Sequence, residues 1–143
     1  MRPWKKICCP VDFSDPSRRA LAEAGYLAAA LDGELTVIHV HEPDPAPVET
    51  LRPPLAEQAS LRPGLERRLQ AWAQEAGPAA RPCASRVLVG NPTLEILRFV
   101  QAEGVDVLVM GTHGRKGLRH MLLGSVAERV IRDAPCPVLV VRG

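Results

Sequence analysis

Val105-Asp106-Val107-Leu108-Val109-Met110 runs directly into Gly111-Thr112-His113-Gly114-Arg115-Lys116-Gly117, and Gly124-Ser125 closes the segment. A mostly apolar run of strand length that empties into glycines, and then into a helix-like pattern, is a way of building a phosphate cradle. Glycine lets the backbone turn sharply and approach an anion with no Cβ in the way. The helix beyond it offers unpaired N–H groups and the positive end of a dipole. The charges agree, because Arg115, Lys116, Arg119 and His120 lie between the glycines and no carboxylate occurs from Gly111 to Ser125. The spacing Gly111-x2-Gly114-x9-Gly124-Ser125 is neither the P-loop pattern nor G-x-G-x-x-G.

Working outward, strand and helix patterns alternate along the whole chain. Lys6-Ile7-Cys8-Cys9-Pro10-Val11 holds a short apolar run and predicts a first strand ending at Asp12. Ser14 or Asp15 then caps a helix with Pro16 in its first turn. Ala20, Leu21, Ala24, Leu27, Ala28 and Leu31 give that helix one buried face, and Gly33 is its stop signal. Leu35–Val40 reads as the second strand, and the proline-rich stretch His41 to Pro54 as a loop. Leu61, Leu65, Leu69, Trp72 and Ala76 keep helical spacing, with Pro63 expected in the first turn of their helix. Val87-Leu88-Val89 forms the core of a third strand, closed by Gly90. Asn91-Pro92 starts another helix, which buries Ile96, Leu97 and Val100 and ends at Gly104. Val105–Met110 is the fourth strand. Ser125-Val126-Ala127-Glu128 has the form of a capping box, with Val126, Val130 and Ile131 facing inward before Pro135. Val138–Val141 is the last strand.

Such alternation implies one α/β domain over residues 1–143, with a parallel sheet and right-handed crossovers. Hydrophobic residues make up 46% and charged residues 24%, the balance of a soluble globular chain. A net charge of +2 gives no argument for nucleic acid or a membrane surface. No segment reaches the ~18 apolar residues of a membrane span. Cys8, Cys9, Cys83 and Cys136 form neither a CxxC motif nor a metal quartet, and read as small hydrophobes in a reducing cytoplasm. His39, His41 and His120 have no metal-ligand spacing with acidic or cysteine partners.

Three stretches together carry a resemblance: Val109–Arg115, Leu123–Val130 and Ala134–Val141. They resemble the ATP-binding signature of the universal stress protein family, and the likeness extends from Ile7 to Val141. The resemblance implies an open five-stranded parallel sheet of order 3-2-1-4-5 with helices on both faces, Rossmann-like and similar to the adenine nucleotide alpha hydrolases. In that order the chain reverses between the first and fourth strands, where open α/β sheets bind ligands. It implies ATP, with Mg²⁺, as the ligand. The backbone of Gly114, Gly124, Ser125 and Val126 would hold the phosphates. Gly111 and Thr112 would lie near the ribose, Met110 would also bind the nucleotide, and Pro10, Val11, Asp12 and Val40 would form the adenine and ribose pocket. It also implies a cytoplasmic homodimer joined through Val138–Val141, whose edge groups a partner strand would satisfy.

Each of these residues has a plainer reading. Ser125 either donates to a phosphate or only caps its helix, two uses that are compatible at one helix end. Asp12 is either a ligand residue or a helix-initiating acid bonded to nearby N–H groups. Arg115 and Lys116 either pair with phosphates or stay solvated, and His113 is either a proton carrier or a locally bonded loop residue. Gly90-Asn91-Pro92 is as readily a turn as a ligand contact. No set of nucleophile, base and orienting residue can be assembled, so no catalytic residue is assigned. The reading is a regulatory nucleotide binder. Its alternatives are a nucleotide-free partner-binding module of the same fold, or a slow ATP hydrolase.

Overall fold

The computed structural model describes residues 2–43, 54–76, 83–112 and 123–142, with the side chains of the second helix described from Leu61 onward. The elements follow in the order β1 (Lys6–Pro10), α1 (Asp15–Leu31), β2 (Glu34–His41), α2 (Pro54–Glu75), β3 (Cys83–Val89), α3 (Pro92–Glu103), β4 (Val107–Gly111), α4 (Ser125–Asp133) and β5 (Val138–Val141). The five strands form one sheet of order β3-β2-β1-β4-β5, with every neighbouring pair parallel. The expected fold class and strand order both hold.

The sheet is covered on both faces because its central strands are apolar on both. Ile7, Cys9, Leu35, Val37, Val107 and Val109 point to the face covered by α1 and α2. Cys8, Ile38, Leu108 and Met110 point to the face covered by α3 and α4. Adjacent Cys8 and Cys9 are therefore both buried, one in each core, as the period of two requires. Among the described residues no helix is long and apolar enough to cross a membrane.

Local signals decide several boundaries. Ser14 is the N-cap of α1 and accepts the Ser17 N–H at 3.3 Å, while Asn91 caps α3 by accepting the Leu94 N–H at 3.1 Å. Gly104 ends α3 in the left-handed conformation, as expected. At the end of α1 the left-handed residue is Asp32, not Gly33, whose N–H instead bonds the Ala28 carbonyl at 2.9 Å. Pro63 lies inside α2 rather than in its first turn, because the helix already begins at Pro54. On that helix Leu69 and Trp72 are buried and Leu65 is partly buried, but Leu61 is exposed. Of the proline-rich loop, residues 44–53 lie outside the described residues.

At the N-terminal ends of the strands, Asp106 departs from the apolar run in which it stands. Its side chain is buried, and Oδ2 accepts the N–H groups of Lys5 at 3.0 Å and Lys6 at 2.8 Å. Oδ1 meets the exposed Arg2 guanidinium at 3.2 Å. The Lys6 N–H does most to hold this carboxyl below its ordinary value; burial opposes it, and the Lys5 N–H and the charges of Arg2 and Lys6 reinforce it. Asp106 thus ties the N-terminal segment to the start of β4, at the edge of the sheet opposite the glycine loop.

Candidate functional site

The hydrogen-bond ladder between the two central strands stops short of their C-terminal ends, and a proline is the physical reason. The β1–β2 ladder runs to Pro10–Ile38 and continues with the Val11 N–H on the Ile38 carbonyl at 2.8 Å. The β4–β5 ladder runs to Gly111–Val141. Between β1 and β4, however, the pairs are Ile7–Val107 and Cys8–Leu108. Backbone groups alternate sides along a strand. Lys6 offers its carbonyl to Asp106 on the β4 side, and Val11 faces β2, so Pro10 faces β4. Pro10 has no N–H to give there, and the ladder ends. The connection after β1 leaves toward α1 on one face, and that after β4 toward α4 on the other. A crevice at this reversal is the place where open α/β sheets take ligands.

Asp12 stands at the β1 side of that crevice. Its Oδ1 accepts the Ser14 N–H at 3.0 Å and is also bonded by the Ser14 hydroxyl. Its own N–H reaches the buried Ser17 hydroxyl at 3.3 Å, which in turn donates to the Ser14 carbonyl at 2.9 Å. The helix-initiating reading of Asp12 is therefore met in full, and it leaves the carboxylate at the strand end. Phe13 follows with φ of 65°, a conformation that bulky side chains rarely adopt.

On the β4 side, Gly111 is a glycine for a packing reason. A Cβ there would sit 2.8 Å from the Pro16 carbonyl oxygen and 2.9 Å from its carbon, so any side chain would drive β4 and the start of α1 apart. Thr112 is buried and its carbonyl accepts the Gly124 N–H at 2.6 Å. This bond brings the two ends of the glycine segment together and fixes the start of α4.

That start corrects one expectation. Gly124 is the N-cap and Ser125 the first helical residue, so the Ser125–Glu128 capping box does not form. The Glu128 N–H bonds the Gly124 carbonyl at 2.9 Å, and the Glu128 carboxylate pairs with Arg132 at 3.2 Å. Unlike α1 and α3, α4 has no side-chain cap at its N-terminus. Of its expected inward residues, Val130 is buried and Val126 partly so, while Ile131 is exposed.

Pro10, Val11, Asp12, Met110, Gly111, Thr112, Gly124, Ser125 and Val126 thus share the C-terminal edge around the crevice. Val40 lies on the same edge, two residues beyond the Pro10–Ile38 pair. Val11 and Met110 bury their side chains in opposite cores, which leaves only their backbone for the crevice. Gly114 and Arg115 lie outside the described residues, as do His113 and Lys116. Among the described residues there is no group of three His, Cys, Asp or Glu side chains fit to hold a metal. All four cysteines are free thiols. Burial pushes each of them up, so none is poised to react as a thiolate.

The family model described as the universal stress protein family matches residues 3–142. The chain belongs to the universal stress protein family. Universal stress protein MJ0531 of Methanocaldococcus jannaschii is 38% identical over 144 residues, covering 97% of this chain and 82% of that protein. The solved structure of MJ0577 from the same organism matches with a TM-score of 0.87 at 30% identity, covering 99% of this chain and 98% of the other. A solved universal stress protein in complex with cAMP matches with a TM-score of 0.71 at 25% identity, covering 98% of each chain.

Within this universal stress protein, two residues beside the crevice escaped the sequence reading. In the sequence His39 shows no metal-ligand spacing, and Phe13 belongs to none of the motifs. Their signal is spatial. The His39 Nδ1 bonds the Val11 carbonyl at 2.8 Å, and its ring centroid lies 4.5 Å from that of Phe13.

Proposed function

We propose that this universal stress protein binds ATP at the C-terminal edge of its sheet and acts as a nucleotide-dependent regulatory factor rather than a fast hydrolase. The observation that carries the reading is the join between β4 and α4. A helix with no side-chain cap begins on a glycine, and that glycine is bonded to Thr112 beside the point where the β1–β4 ladder ends. The N–H groups of such a helix end attract an anion through partial charge and unpaired donors. The cAMP-bound relative supports an adenine nucleotide as the class of ligand.

In this reading the backbone of Gly114, Gly124, Ser125 and Val126 receives the phosphates, with Arg115 beside them. Gly111 and Thr112 border the ribose and Met110 also binds the nucleotide, while Pro10, Val11, Asp12 and Val40 form the adenine and ribose pocket. Mg²⁺ is commonly held by one or two carboxylates together with substrate phosphates, and Asp12 is a carboxylate at this edge. The protein is proposed to be cytoplasmic, consistent with its four free thiols. It is also proposed to form a homodimer through β5. That strand lies at the end of the sheet, and its Leu139 is 40% exposed.

The test is calorimetric titration of ATP-Mg²⁺ into the nucleotide-stripped protein and a Gly124→Asp variant. Gly124 has φ of −70° and ψ of 160°, which Asp adopts without strain, and Asp is a preferred N-cap. The substitution thus preserves or strengthens α4 while placing a carboxylate against the proposed phosphates. Saturable binding weakened by roughly tenfold or more, with unchanged circular dichroism, is the expected result. Equal affinity in both proteins refutes the placement. No binding to either leaves a partner-binding module as the better reading.

A further inference from the structure

The geometry points to His39 as a positioning residue: it clamps the Val11-Asp12-Phe13 turn, and through it holds Asp12 in the orientation that receives the nucleotide. This inference rests on the nucleotide-binding reading above and adds to it a residue on a neighbouring strand that is not assigned to the ligand.

His39 touches both chain neighbours of Asp12. Its Nδ1 lies 2.8 Å from the Val11 carbonyl oxygen, and a carbonyl can only accept, so Nδ1 carries the hydrogen. That bond sets the direction of the ring. The other side of the clamp is Phe13, whose ring centroid is 4.5 Å from the His39 ring at an interplanar angle of 40°. Phe13 is held in the left-handed region, and such a conformation persists only where the surroundings over-determine it. Two further contacts do so from α2. Trp72 packs edge-on at 5.2 Å, and the Arg68 guanidinium lies 4.1 Å from the ring centroid. The residues before and after Asp12 are therefore fixed by β2 and α2. The direction of the carboxylate follows from them and from Ser14.

The test is a double-mutant cycle read by ATP-Mg²⁺ titration, with His39→Leu, His39→Asn, Asp12→Ala and the Asp12→Ala/His39→Leu pair. Leucine removes the donor to Val11. Asparagine keeps a donor in the place of Nδ1, although it lacks the ring that stacks on Phe13. The expected result is a loss of about tenfold for His39→Leu, and a loss of about threefold or less for His39→Asn. In the Asp12→Ala background, His39→Leu should change affinity by less than about twofold, because a residue that acts through Asp12 has nothing left to position. Equal losses in both backgrounds overturn the proposal, as does a His39→Leu protein that binds like the parent. So does an Asp12→Ala protein with unchanged affinity, which would leave ATP binding itself standing.

A ligand-free arm separates the two readings. Amide nuclear magnetic resonance signals of Asp12 should move in His39→Leu and stay nearer their original position in His39→Asn, while those of Phe13, which loses the stacked ring in either variant, should move in both. If the parent protein binds no ATP, the nucleotide reading fails and this arm decides the clamp alone. Unmoved Asp12 and Phe13 signals in His39→Leu would then overturn the clamp as well.

Discussion

Replacing Asp106 tests whether a buried acid, far from the glycine loop, holds the N-terminal segment against the sheet. Its Oδ2 accepts two backbone N–H groups, from Lys5 at 3.0 Å and Lys6 at 2.8 Å, and the side chain is 6% exposed. Hydrogen bonds to a charged group contribute about 1.5–3 kcal/mol each, and two that share one oxygen do not add fully. The Arg2 contact adds little, since the Arg2 side chain is 79% exposed and solvent screens the pair. Asp106→Ala, which leaves both N–H groups without their acceptor, should therefore cost about 2–4 kcal/mol. Asp106→Asn keeps a carbonyl oxygen for them and loses the charge, at a cost of about 1–2 kcal/mol. For a chain of this size such an Asn variant should melt roughly 2–8 °C lower.

The pH dependence has a definite sign. Backbone donation from Lys6, and then the other partners, hold the folded carboxyl below its ordinary value despite burial. Its stabilisation is therefore complete above the unfolded value of about 3.9, and is lost as pH falls through the lower folded value. Urea unfolding followed by circular dichroism at pH 7, 5 and 3.5 should show a full gap between parent and Asp106→Asn at the first two. The gap should begin to narrow at the third. A gap below about 0.5 kcal/mol at pH 7, or one that widens in acid, would refute the reasoning.

Two further substitutions probe the packing and the sheet edge. At Gly25, in the middle of α1, an alanine would gain about 1 kcal/mol of helix propensity. Its Cβ would sit 2.2 Å from the Ala76 carbonyl oxygen at the end of α2, however, and overpacking against backbone costs about 1–3 kcal/mol. Gly25→Ala should thus lower the unfolding midpoint, and a stabilised variant would show that the two helices separate freely. At β5, the Pro137 carbonyl faces β4, so by alternation the Val140 N–H points to the outer edge. Val140→Pro should leave the monomer's own ladder intact while shifting the proposed dimer toward monomer in sedimentation velocity. An unchanged dimer would place its interface elsewhere.

Much of this protein is written in short-range pattern. The alternation of apolar runs, the caps at Ser14 and Asn91, and the stop at Gly104 are legible because each depends on residues a few positions away. Of the glycine segment, the strand end at Gly111 is legible for the same reason, while residues 113–122 lie outside the described residues. Besides the stop expected at Gly33 and the first turn expected at Pro63, a local motif that misled is the Ser125–Glu128 box. Its spacing is right, but the Thr112 carbonyl holds the Gly124 N–H and makes the glycine the cap.

What the chain alone determined is therefore the fold class and the succession of elements. The strand order came from the family likeness and was borne out in the structure. Only the tertiary structure decided why Gly111 must be glycine, since the obstructing carbonyl belongs to Pro16 in another element. It alone revealed Asp106 as a clasp on Lys5, 101 positions away, and His39 as a neighbour of Val11, 28 positions away. Contacts of that kind leave no period or spacing in the sequence. They exist because β1 lies between β2 and β4, an adjacency that the burial of both sheet faces stabilises and that no local propensity records.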